Sequence, residues 1–333
     1  MNVIIPMAGM GKRLRPHTLT VPKPLIPIAG KPIVHHLVED IAALASEPLE
    51  RIVFVCGRFG DEAERHLIAV ASALGAIGEI AYQDEPLGTA HAIWCAQHAL
   101  KGKTIVAFAD TLFRADFDLD SEADGVLWVK QIDDPSAFGV VQLNENGEIV
   151  EFVEKPATFV SNLAMIGIYY FKSGEALHEE IKYLLEHNIR KSGEYQLPDA
   201  LRRLTQRGLK FLPGKVDSWM DCGNAAATVE TNSEILQWKY PASNLSASVK
   251  MENAQIIDPC FIGEGVVLKN SVVGPFASIG AGTEIVDSHI AHSLVQQHNR
   301  INTCKIEKSM IGSHVNIHNV SEPCSLGDYS TIG

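Results

Sequence analysis

The sequence predicts a doubly wound, Rossmann-like α/β domain with a mixed sheet, followed by a short left-handed parallel β-helix. Two patterns support this fold class. Short apolar runs alternate with helix-like segments up to about residue 238, and a six-residue apolar period begins near residue 261. Alternating strands and helices are typical of layered α/β domains, and a six-residue period is typical of one side of a β-helix coil.

The first domain is expected over residues 1–240. Its strand-like runs are 3–5, 52–56, 80–83, 105–109 and 126–129, and the helical patterns between them are 33–46, 61–74 and 89–100. Uninterrupted apolar runs of this length suit strands that are buried on both faces. Because ligands bind outside the carboxyl ends of such strands, we expect the loop at Gly9 and the side chain of Asp110 to share one edge of the sheet.

The later part of this domain is less regular. A β-hairpin is expected over 138–153, with its turn at 144–147, and another strand over 164–171. Helices are expected over 197–207 and 225–238, the second with apolar residues on one face.

A linker is expected over 241–248, and the β-helix over 249–333. Val273, Ile279 and Ile285 belong to a series of apolar residues that recur every six positions. Coils of about eighteen residues would give four to five coils in this length. The block 289–300 interrupts the series, and we expect it to loop out.

Composition limits the function classes. The chain has 333 residues with 28 Lys and Arg against 40 Asp and Glu, a net charge of −12. Such an acidic chain is a poor candidate for non-specific binding to nucleic acid or to an anionic membrane. The six cysteines form no Cys-x-x-Cys pair, which favours free thiols in a reducing compartment. With no signal-peptide pattern and no apolar run of membrane-spanning length, a cytoplasmic location is expected.

A stretch rich in glycine and cations follows the first apolar run. Gly9 and Gly11 allow the backbone to turn sharply and to present N–H groups to an anion, while Lys12, Arg13 and Arg15 add positive charge. A P-loop needs serine or threonine after its lysine, and the dinucleotide fingerprint needs a third glycine, so neither motif fits. The residues alone therefore suggest a phosphate cradle of another class.

A proline-rich stretch at 21–33 follows and is expected to form a rigid, extended arm that carries Lys23 and Lys31. Three motifs stand in this region: Gly9-x-Gly11-x-Arg13-Leu14-x-Pro16-x-Thr18, Pro22-Lys23-Pro24-Leu25 and Gly30-Lys31-Pro32-Ile33. Together they resemble the sugar-1-phosphate nucleotidylyltransferases, in particular the glucose-1-phosphate thymidylyltransferase and UTP–glucose-1-phosphate uridylyltransferase group.

The resemblance implies an in-line displacement with Mg²⁺ as cofactor. An oxygen of a sugar 1-phosphate attacks the α-phosphorus of a nucleoside triphosphate, and pyrophosphate leaves without a covalent enzyme intermediate. By the same resemblance, Ala8, Gly9, Gly11 and Arg13 would bind the nucleotide. Arg13 would stabilise the departing pyrophosphate, and Lys23 would contact the phosphates at the reacting centre.

Two aspartates are candidate metal ligands. Taken alone, Asp110 after an apolar run and Asp221 before a glycine are most simply turn or helix-capping residues. The resemblance reverses this interpretation, because Ala109-Asp110 stands where the family has Gly-Asp, and Trp219-Met220-Asp221-Cys222-Gly223 matches its Trp-x-Asp-x-Gly motif. Both carboxylates would then bind Mg²⁺ and, with Arg13 and Lys23, form the catalytic set.

The stretch 82–92 resembles the base-reading loop of the family and contains Gln83, Gly88 and Thr89. A glutamine amide has both a donor and an acceptor, which suits uracil and thymine alike. Gly88 would let the backbone approach the base. The sequence therefore favours UTP or dTTP without deciding between them.

Four further residues match the sugar pocket of the family. Glu154 would bind sugar hydroxyls and Lys155 the sugar phosphate, while Gly139 and Asn162 match other positions of this pocket. Without the resemblance, Glu154 and Lys155 would be an exposed ion pair of little energetic value. Glucose 1-phosphate is favoured, and other sugar phosphates stay open.

Two alternative functions come from other readings of the same chain. Histidines in the β-helix leave open a bifunctional enzyme that is also an acetyltransferase, although four to five coils are few for an acyl-CoA site. A catalytically silent regulatory subunit would have no chemical need for Arg13, Lys23, Asp110 and Asp221 together. We expect the β-helix to support a homo-oligomer instead.

Overall fold

The computed structural model describes residues 1–9, 11–115 and 123–333. These residues fall into two compact units. The first unit contains residues 1–9 and 37–219, and the second contains residues 11–36 and 220–333. Within the described ranges, no helix has the length and apolarity needed to cross a membrane.

The first unit is built on a nine-stranded mixed sheet. Its strands are β1 (Asn2–Pro6), β2 (Arg51–Cys56), β3 (Ile77–Tyr82), β4 (Thr104–Ala107), β5 (Gly125–Gln131), β6 (Gly139–Leu143), β7 (Ile149–Glu154), β8 (Leu163–Phe171) and β9 (Phe211–Lys215). Their order across the sheet is β3-β2-β1-β4-β8-β5-β9-β7-β6. Two short strands, Thr111–Arg114 and Ser218–Asp221, lie outside this sheet.

The sheet has a parallel half followed by a mixed half. Strands β3, β2, β1 and β4 are mutually parallel, whereas β8 runs antiparallel to both of its neighbours, β4 and β5. The expected hairpin is β6 with β7, and the Asn144 side chain stabilises its turn by accepting from the N–H groups of Asn146 and Glu148. The predicted mixed α/β sheet is confirmed.

The helices of the chain are α1 (Ile33–Leu44), α2 (Asp61–Ala73), α3 (Thr89–Cys95), α4 (Gly174–Glu186), α5 (Leu197–Gln206) and α6 (Ala225–Lys239). Helix α4 was not anticipated, although its sequence contains the usual signals. Ser173 caps it by accepting from the Ala176 N–H at 3.3 Å, and Leu177 and Ile181 are fully buried four residues apart.

Strand β9 was also not anticipated, because it contains Pro213 and Gly214, which are unfavourable inside a strand. It nevertheless pairs in parallel with β5 along its whole length. Phe211 at its start is fully buried and meets Phe152 and Phe171 edge to face. Aromatic packing therefore outweighs the poor strand propensity.

In the second unit, the proline-rich stretch is not the extended arm that the sequence suggested. It contains a 3₁₀ turn at Lys23–Leu25 and a short hairpin of Pro27–Ile28 with Lys31–Pro32. Two further 3₁₀ turns, Lys12–Leu14 and His17–Leu19, precede it. Pro24 lies in the first turn of a 3₁₀ segment, where its missing N–H would have no intrahelical partner. Proline therefore starts a turn here rather than extending the chain.

The rest of the second unit is a left-handed β-helix whose three parallel sheets have six, six and four strands. The first sheet consists of Asn244–Leu245, Cys260–Ile262, Ala277–Ile279, Leu294–Val295, Met310–Ile311 and Ser325–Leu326. The second consists of Lys250–Glu252, Val267–Lys269, Glu284–Val286, Arg300–Asn302, Asn316–His318 and Thr331–Ile332. The third consists of Gln255–Ile256, Val272–Val273, His289–Ala291 and Lys305–Glu307.

The coils are shorter than the expected eighteen residues. Val267 pairs with Glu284, an advance of 17 residues, and Glu284 pairs with Arg300, an advance of 16. The expectation that 289–300 loops out is wrong, because strands of all three sheets occur there. One side of the coil is a residue shorter at this point, so the six-residue period is lost while the coil continues.

The shorter coils also shift which residues face the core. Val273, Ile279 and Ile285 of the predicted series are fully buried. One coil earlier, Ile262 and Leu268 fill the core. The six-residue series predicts core residues one position before each of them. A strict period of six therefore identifies the β-helix correctly and misplaces part of its core by one residue.

All six cysteines are free thiols, as the sequence predicted. Cys56 and Cys260 are fully buried. Burial raises the pKa of Cys56 to about 12 and that of Cys260 to about 11. A neutral, buried thiol behaves as a small apolar side chain.

His17 gives the second unit a pH-dependent stability. It is only 4 % exposed, and its pKa is lowered from 6.5 to about 4 because burial penalises the imidazolium, with Asp328 opposing the shift. Since the unfolded chain takes up the proton near pH 6.5, the stabilisation is present above that pH and is lost as the pH falls towards 4. The maximum loss is about 3 kcal/mol.

We therefore expect His17→Gln to flatten the pH dependence of the free energy of unfolding between pH 6.5 and 4. Urea denaturation of wild type and variant at several pH values in this window measures the difference. His318→Gln, at an exposed position of the β-helix, is the control and should leave the slope unchanged. Parallel curves for wild type and His17→Gln would contradict the assignment.

Candidate functional site

The loop after β1 and the side chain of Asp110 lie at the same edge of the first unit. Strands β1 and β4 are parallel neighbours, and the Ala109 N–H donates to the Pro6 carbonyl at 3.4 Å. This bond fixes the residue before Asp110 beside the end of β1, where Ala8 and Gly9 follow. Gly9 is exposed, and a Cβ there would meet no atom within 4 Å. The edge therefore combines an open backbone turn with a carboxylate.

Gln83 follows β3 and has its amide orientation fixed by two neighbours. Its Nε2 donates to the Gly88 carbonyl at 3.1 Å and lies 3.1 Å from Nδ1 of His91. Burial lowers the pKa of His91, which favours the neutral ring that can accept this bond. Both amide hydrogens then have partners, so the carbonyl oxygen Oε1 is the part of Gln83 that can meet a ligand.

Gly88 and Thr89 both have structural roles in the first unit. Gly88 has φ +107°, and a Cβ there would lie 2.5 Å from the Tyr195 carbonyl oxygen. The Thr89 hydroxyl accepts from the Leu197 N–H at 2.9 Å and meets Gln196 Oε1 at 3.4 Å. The structure thus gives both residues a packing role, which holds the 194–197 segment against the start of α3.

Glu154 and Gly139 face each other across the hairpin of β6 and β7. A Cβ on Gly139 would overlap the end of Met165 and lie 2.8 Å from Glu154 Oε2. Glycine is therefore needed for the carboxylate of Glu154 to occupy its position. Glu154 and Lys155 form only a loose ion pair at 3.9 Å, with the lysine side chain 65 % exposed.

Tyr169 is a buried residue near the candidate site that the sequence did not predict. It lies on β8, is buried and meets Phe108 edge to face. Burial raises its pKa, and the charges of Glu154 and Asp110 raise it further. The charges of Asp110 and Glu154 therefore both act on the neutral phenol of Tyr169. An aromatic residue in a buried strand gives no sequence signal of such a role.

Asn162 and Lys155 lie at the borders of this region. The Asn162 carbonyl accepts from the Ile132 N–H at 3.0 Å, just before β8 begins. The Lys155 N–H donates to the Phe138 carbonyl at 3.2 Å, and its backbone has a positive φ of 43°. The first unit thus brings Gly139, Glu154 and Lys155 together at the end of one hairpin.

If Glu154 binds the sugar as its motif predicts, Gly139→Ala should raise KM for the sugar 1-phosphate about tenfold, the size of a lost hydrogen bond to a charged group. The added Cβ would displace the Glu154 carboxylate and leave the Gln83 region unchanged. Steady-state kinetics with each substrate varied in turn measures this, with KM for the nucleotide as the internal control. An equal rise in both KM values would contradict the local explanation.

In the second unit, Gly11, Thr18 and Lys23 form a compact group. Gly11 has φ +56°, and a Cβ there would lie 3.0 Å from both Lys23 Cβ and Thr18 Cγ2. The Thr18 hydroxyl donates to the Gly11 carbonyl at 2.9 Å. Lys23 is 8 % exposed, whereas Arg13, Lys12 and Arg15 are exposed. A left-handed turn therefore lies against a largely buried lysine, beside exposed cations.

Asp221 belongs to the second unit and ends the strand Ser218–Asp221. Its Oδ1 accepts from the Gly223 N–H at 2.9 Å, and its carbonyl accepts from the Thr231 hydroxyl at 2.9 Å. Asn224 then caps α6. The aspartate is thus held in a defined turn just before a helix.

The donor set fits a hard cation with few protein ligands. In the described part of the chain, no three His, Cys, Asp or Glu side chains are grouped as a metal cage. Mg²⁺ commonly takes one or two carboxylates and completes its shell with substrate phosphates and water. The two predicted ligands, Asp110 and Asp221, are carboxylates of this type.

The first unit thus combines a layered α/β sheet, an open glycine turn after β1 and the strand-end carboxylate of Asp110, features that suit phosphate binding. The model of the nucleotidyl transferase family matches residues 2–238, and the chain belongs to that family. Nucleotidyltransferases of this kind generally use a divalent metal ion.

Relatives extend this similarity over the whole chain. A glucose-1-phosphate thymidylyltransferase of Streptomyces griseus is 29 % identical over 99 % of this chain and 98 % of its own length. The bifunctional protein GlmU of Methanococcus maripaludis is 31 % identical over 81 % of this chain and 62 % of its own length. The crystal structure of a nucleoside-diphosphate-sugar pyrophosphorylase from Vibrio cholerae has a TM-score of 0.59 at 24 % identity, over 69 % of this chain and 99 % of that one. At this identity the structural likeness supports the fold alone.

Proposed function

We propose that this enzyme transfers a nucleotidyl group from a nucleoside triphosphate to a sugar 1-phosphate, releasing pyrophosphate. The observation that carries the proposal is the open glycine turn after β1 beside the residue that precedes Asp110, in a chain whose residues 2–238 match the nucleotidyl transferase family. The carboxylate of Asp110 suits a metal-bound phosphate, and that of Glu154 suits a sugar hydroxyl. The relative from Streptomyces griseus, named for glucose 1-phosphate and thymidylyl transfer, supports the same reaction.

In this proposal the protein positions the two substrates and neutralises their charge. Arg13 contacts the triphosphate, Lys23 the phosphates at the reacting centre and Lys155 the attacking sugar phosphate. Asp110 and Asp221 would hold Mg²⁺, which supplies charge stabilisation to the phosphates when bound. The Ala8–Gly9 turn and Gly11 offer backbone N–H groups to the nucleotide.

Gln83 supports a base with a ring N–H. Its remaining group, the acceptor Oε1, pairs with the N3–H of uracil or thymine. Cytosine N3 and adenine N1 are themselves acceptors, so each would face Oε1 without a hydrogen between the two atoms. This favours dTTP and UTP over CTP and ATP.

We expect Gln83→Ala to reduce the preference for UTP over CTP by about tenfold, because the unfavourable acceptor pair is removed together with the favourable bond. The ratio of kcat/KM for the two nucleotides measures this. Gln97→Ala, outside the base-reading loop, serves as control. An unchanged ratio would contradict base recognition by Gln83.

The experiment that tests the proposed function is a pyrophosphate-release assay with Mg²⁺ across nucleoside triphosphates and a panel of sugar 1-phosphates. We expect activity to concentrate on dTTP or UTP, with glucose 1-phosphate as the favoured acceptor. No release in any combination, from protein shown to be folded, would refute it.

A further inference from the structure

The N-terminal arm, defined here as residues 11–36, contains Arg13 and Lys23, which the proposed function assigns to phosphate binding. Gly11, Thr18 and Lys23 are packed closely together within the arm: the Thr18 hydroxyl donates to the Gly11 carbonyl, and a Cβ on Gly11 would lie 3.0 Å from Lys23 Cβ. The position of the arm therefore decides where the ammonium group lies. The question is what holds the arm in place.

On the N-terminal side of Lys23, two side chains of the arm bind the last coil of the β-helix. His17 Nε2 lies 2.9 Å from the Ser325 hydroxyl. The Thr20 hydroxyl donates to Asp328 Oδ2 at 2.6 Å. Each pair is separated by 308 residues in the sequence.

On the C-terminal side of Lys23, the backbone of the arm is held by two side-chain amides. Asn232 on α6 is fully buried, and its Oδ1 accepts both the Ala29 N–H at 2.9 Å and the Ser278 hydroxyl at 2.6 Å. Gln296 Nε2 donates to the Pro27 carbonyl at 3.1 Å. Lys23 thus lies between two pairs of attachment points.

Ser278 differs from the other buried serines of the β-helix. Ser271, Ser288, Ser293 and Ser309 each donate to a backbone carbonyl two residues earlier, within their own coil. The Ser278 hydroxyl instead leaves the β-helix and binds Asn232. It is thus not used to build the coil.

Apolar packing between the arm and the β-helix is local. The ring of Phe261 lies against Gly30 and leaves no room for a Cβ there. Beside this contact, a cleft of about 460 Å³ that is partly open to solvent is lined by Leu25 and Ile26 of the arm and by Met310 of the coils. Hydrogen bonds therefore share the attachment with this contact, and we expect the segment beside the cleft to loosen when they are removed.

We propose that Asn232, Ser278, Gln296, Ser325 and Asp328 are positioning residues that hold the phosphate-binding arm for catalysis. The β-helix then contributes to the reaction of its own chain, in addition to any role in association. The proposal rests on the proposed function for the role of Lys23. A phosphate site needs its cations held in place before the reaction, and a displacement of about 1 Å can cost on the order of a hundredfold in rate.

The test compares Gln296→Ala and Asn232→Ala with Gln255→Ala, a glutamine exposed on a β-helix strand. Three readouts are measured: hydrogen exchange of peptides covering 17–30 and the coils, kcat with KM for the nucleotide, and binding of inorganic pyrophosphate. We expect exchange in 17–30 to rise about tenfold in Gln296→Ala, exchange in the coils to stay unchanged, and kcat to fall at least tenfold with a smaller change in KM.

Asn232→Asp keeps the oxygen acceptor and should recover part of the lost kcat, which a general loss of folding would not allow. Unchanged exchange in 17–30 would overturn the attachment, and faster exchange with unchanged kcat and pyrophosphate binding would overturn the positioning role. If wild type turns over no substrate, the proposed function fails. Pyrophosphate affinity then decides the present proposal, which predicts weaker binding in Gln296→Ala than in Gln255→Ala.

Discussion

Replacing Asp110 by asparagine is expected to lower kcat about a thousandfold, the size that follows when several kcal/mol of charge stabilisation are lost. Asp110 follows β4 beside the turn after β1, and its charge acts on the buried phenol of Tyr169. The amide keeps the size of the side chain and removes the charge that a hard cation prefers. Nucleotide affinity should change much less, because Gln83 and the backbone turn are untouched.

Turnover is measured by stopped flow or quench flow, and nucleotide affinity by equilibrium binding, so that the effect on kcat is separated from the effect on binding. Asp133→Asn, at an exposed position of the same unit, is the matched control and should behave as wild type. An equal loss of binding and turnover in Asp110→Asn would contradict the metal role and indicate a structural one.

Replacing Lys23 by methionine is expected to lower kcat by a hundredfold or more, on the order of what the loss of one preorganised charge contact costs. Lys23 is 8 % exposed and lies against Gly11 and Thr18. Methionine fills a similar volume, so the packing of the arm should survive while the ammonium is lost. Thermal unfolding should therefore change little.

Lys250→Met, on an exposed β-helix strand, controls for the general loss of a positive charge. Arg13→Met should raise KM for the nucleotide more than Lys23→Met does, because its side chain is exposed and would meet the triphosphate. If Lys23→Met retained full turnover, the lysine would be a core residue of the arm and nothing more.

Local patterns predicted most of the fold because the residues that define them are close in sequence. The alternation of strands and helices and the hairpin of β6 with β7 follow from such patterns. Helix α4 had a serine cap and a periodic apolar face, so it was predictable in principle. Strand β9 was not, because Pro213 and Gly214 oppose a strand and only packing with distant aromatic residues compensates.

The sequence predicted which residues belong to the candidate site, but it did not predict how these residues interact with one another. Motif resemblance selected Asp110 and Glu154, but only the fold shows that both act on Tyr169. Likewise, the sequence suggested Gln83 because its amide can both donate and accept hydrogen bonds. In the structure, His91 and the Gly88 carbonyl accept both amide hydrogens, so only the acceptor Oε1 is left for a base. Attachment of the arm to Ser325 joins residues 308 positions apart, a relation that no local pattern encodes.

The most direct test of the proposed reaction is to identify its products. Wild-type protein would be incubated with Mg²⁺, the preferred nucleoside triphosphate and a sugar 1-phosphate labelled with ¹⁸O in its phosphate, and the mixture analysed by mass spectrometry. The proposal predicts a nucleoside diphosphate sugar that retains the label, with one unlabelled pyrophosphate for each product. Formation of nucleoside monophosphate and pyrophosphate, with the sugar 1-phosphate unchanged, would contradict it.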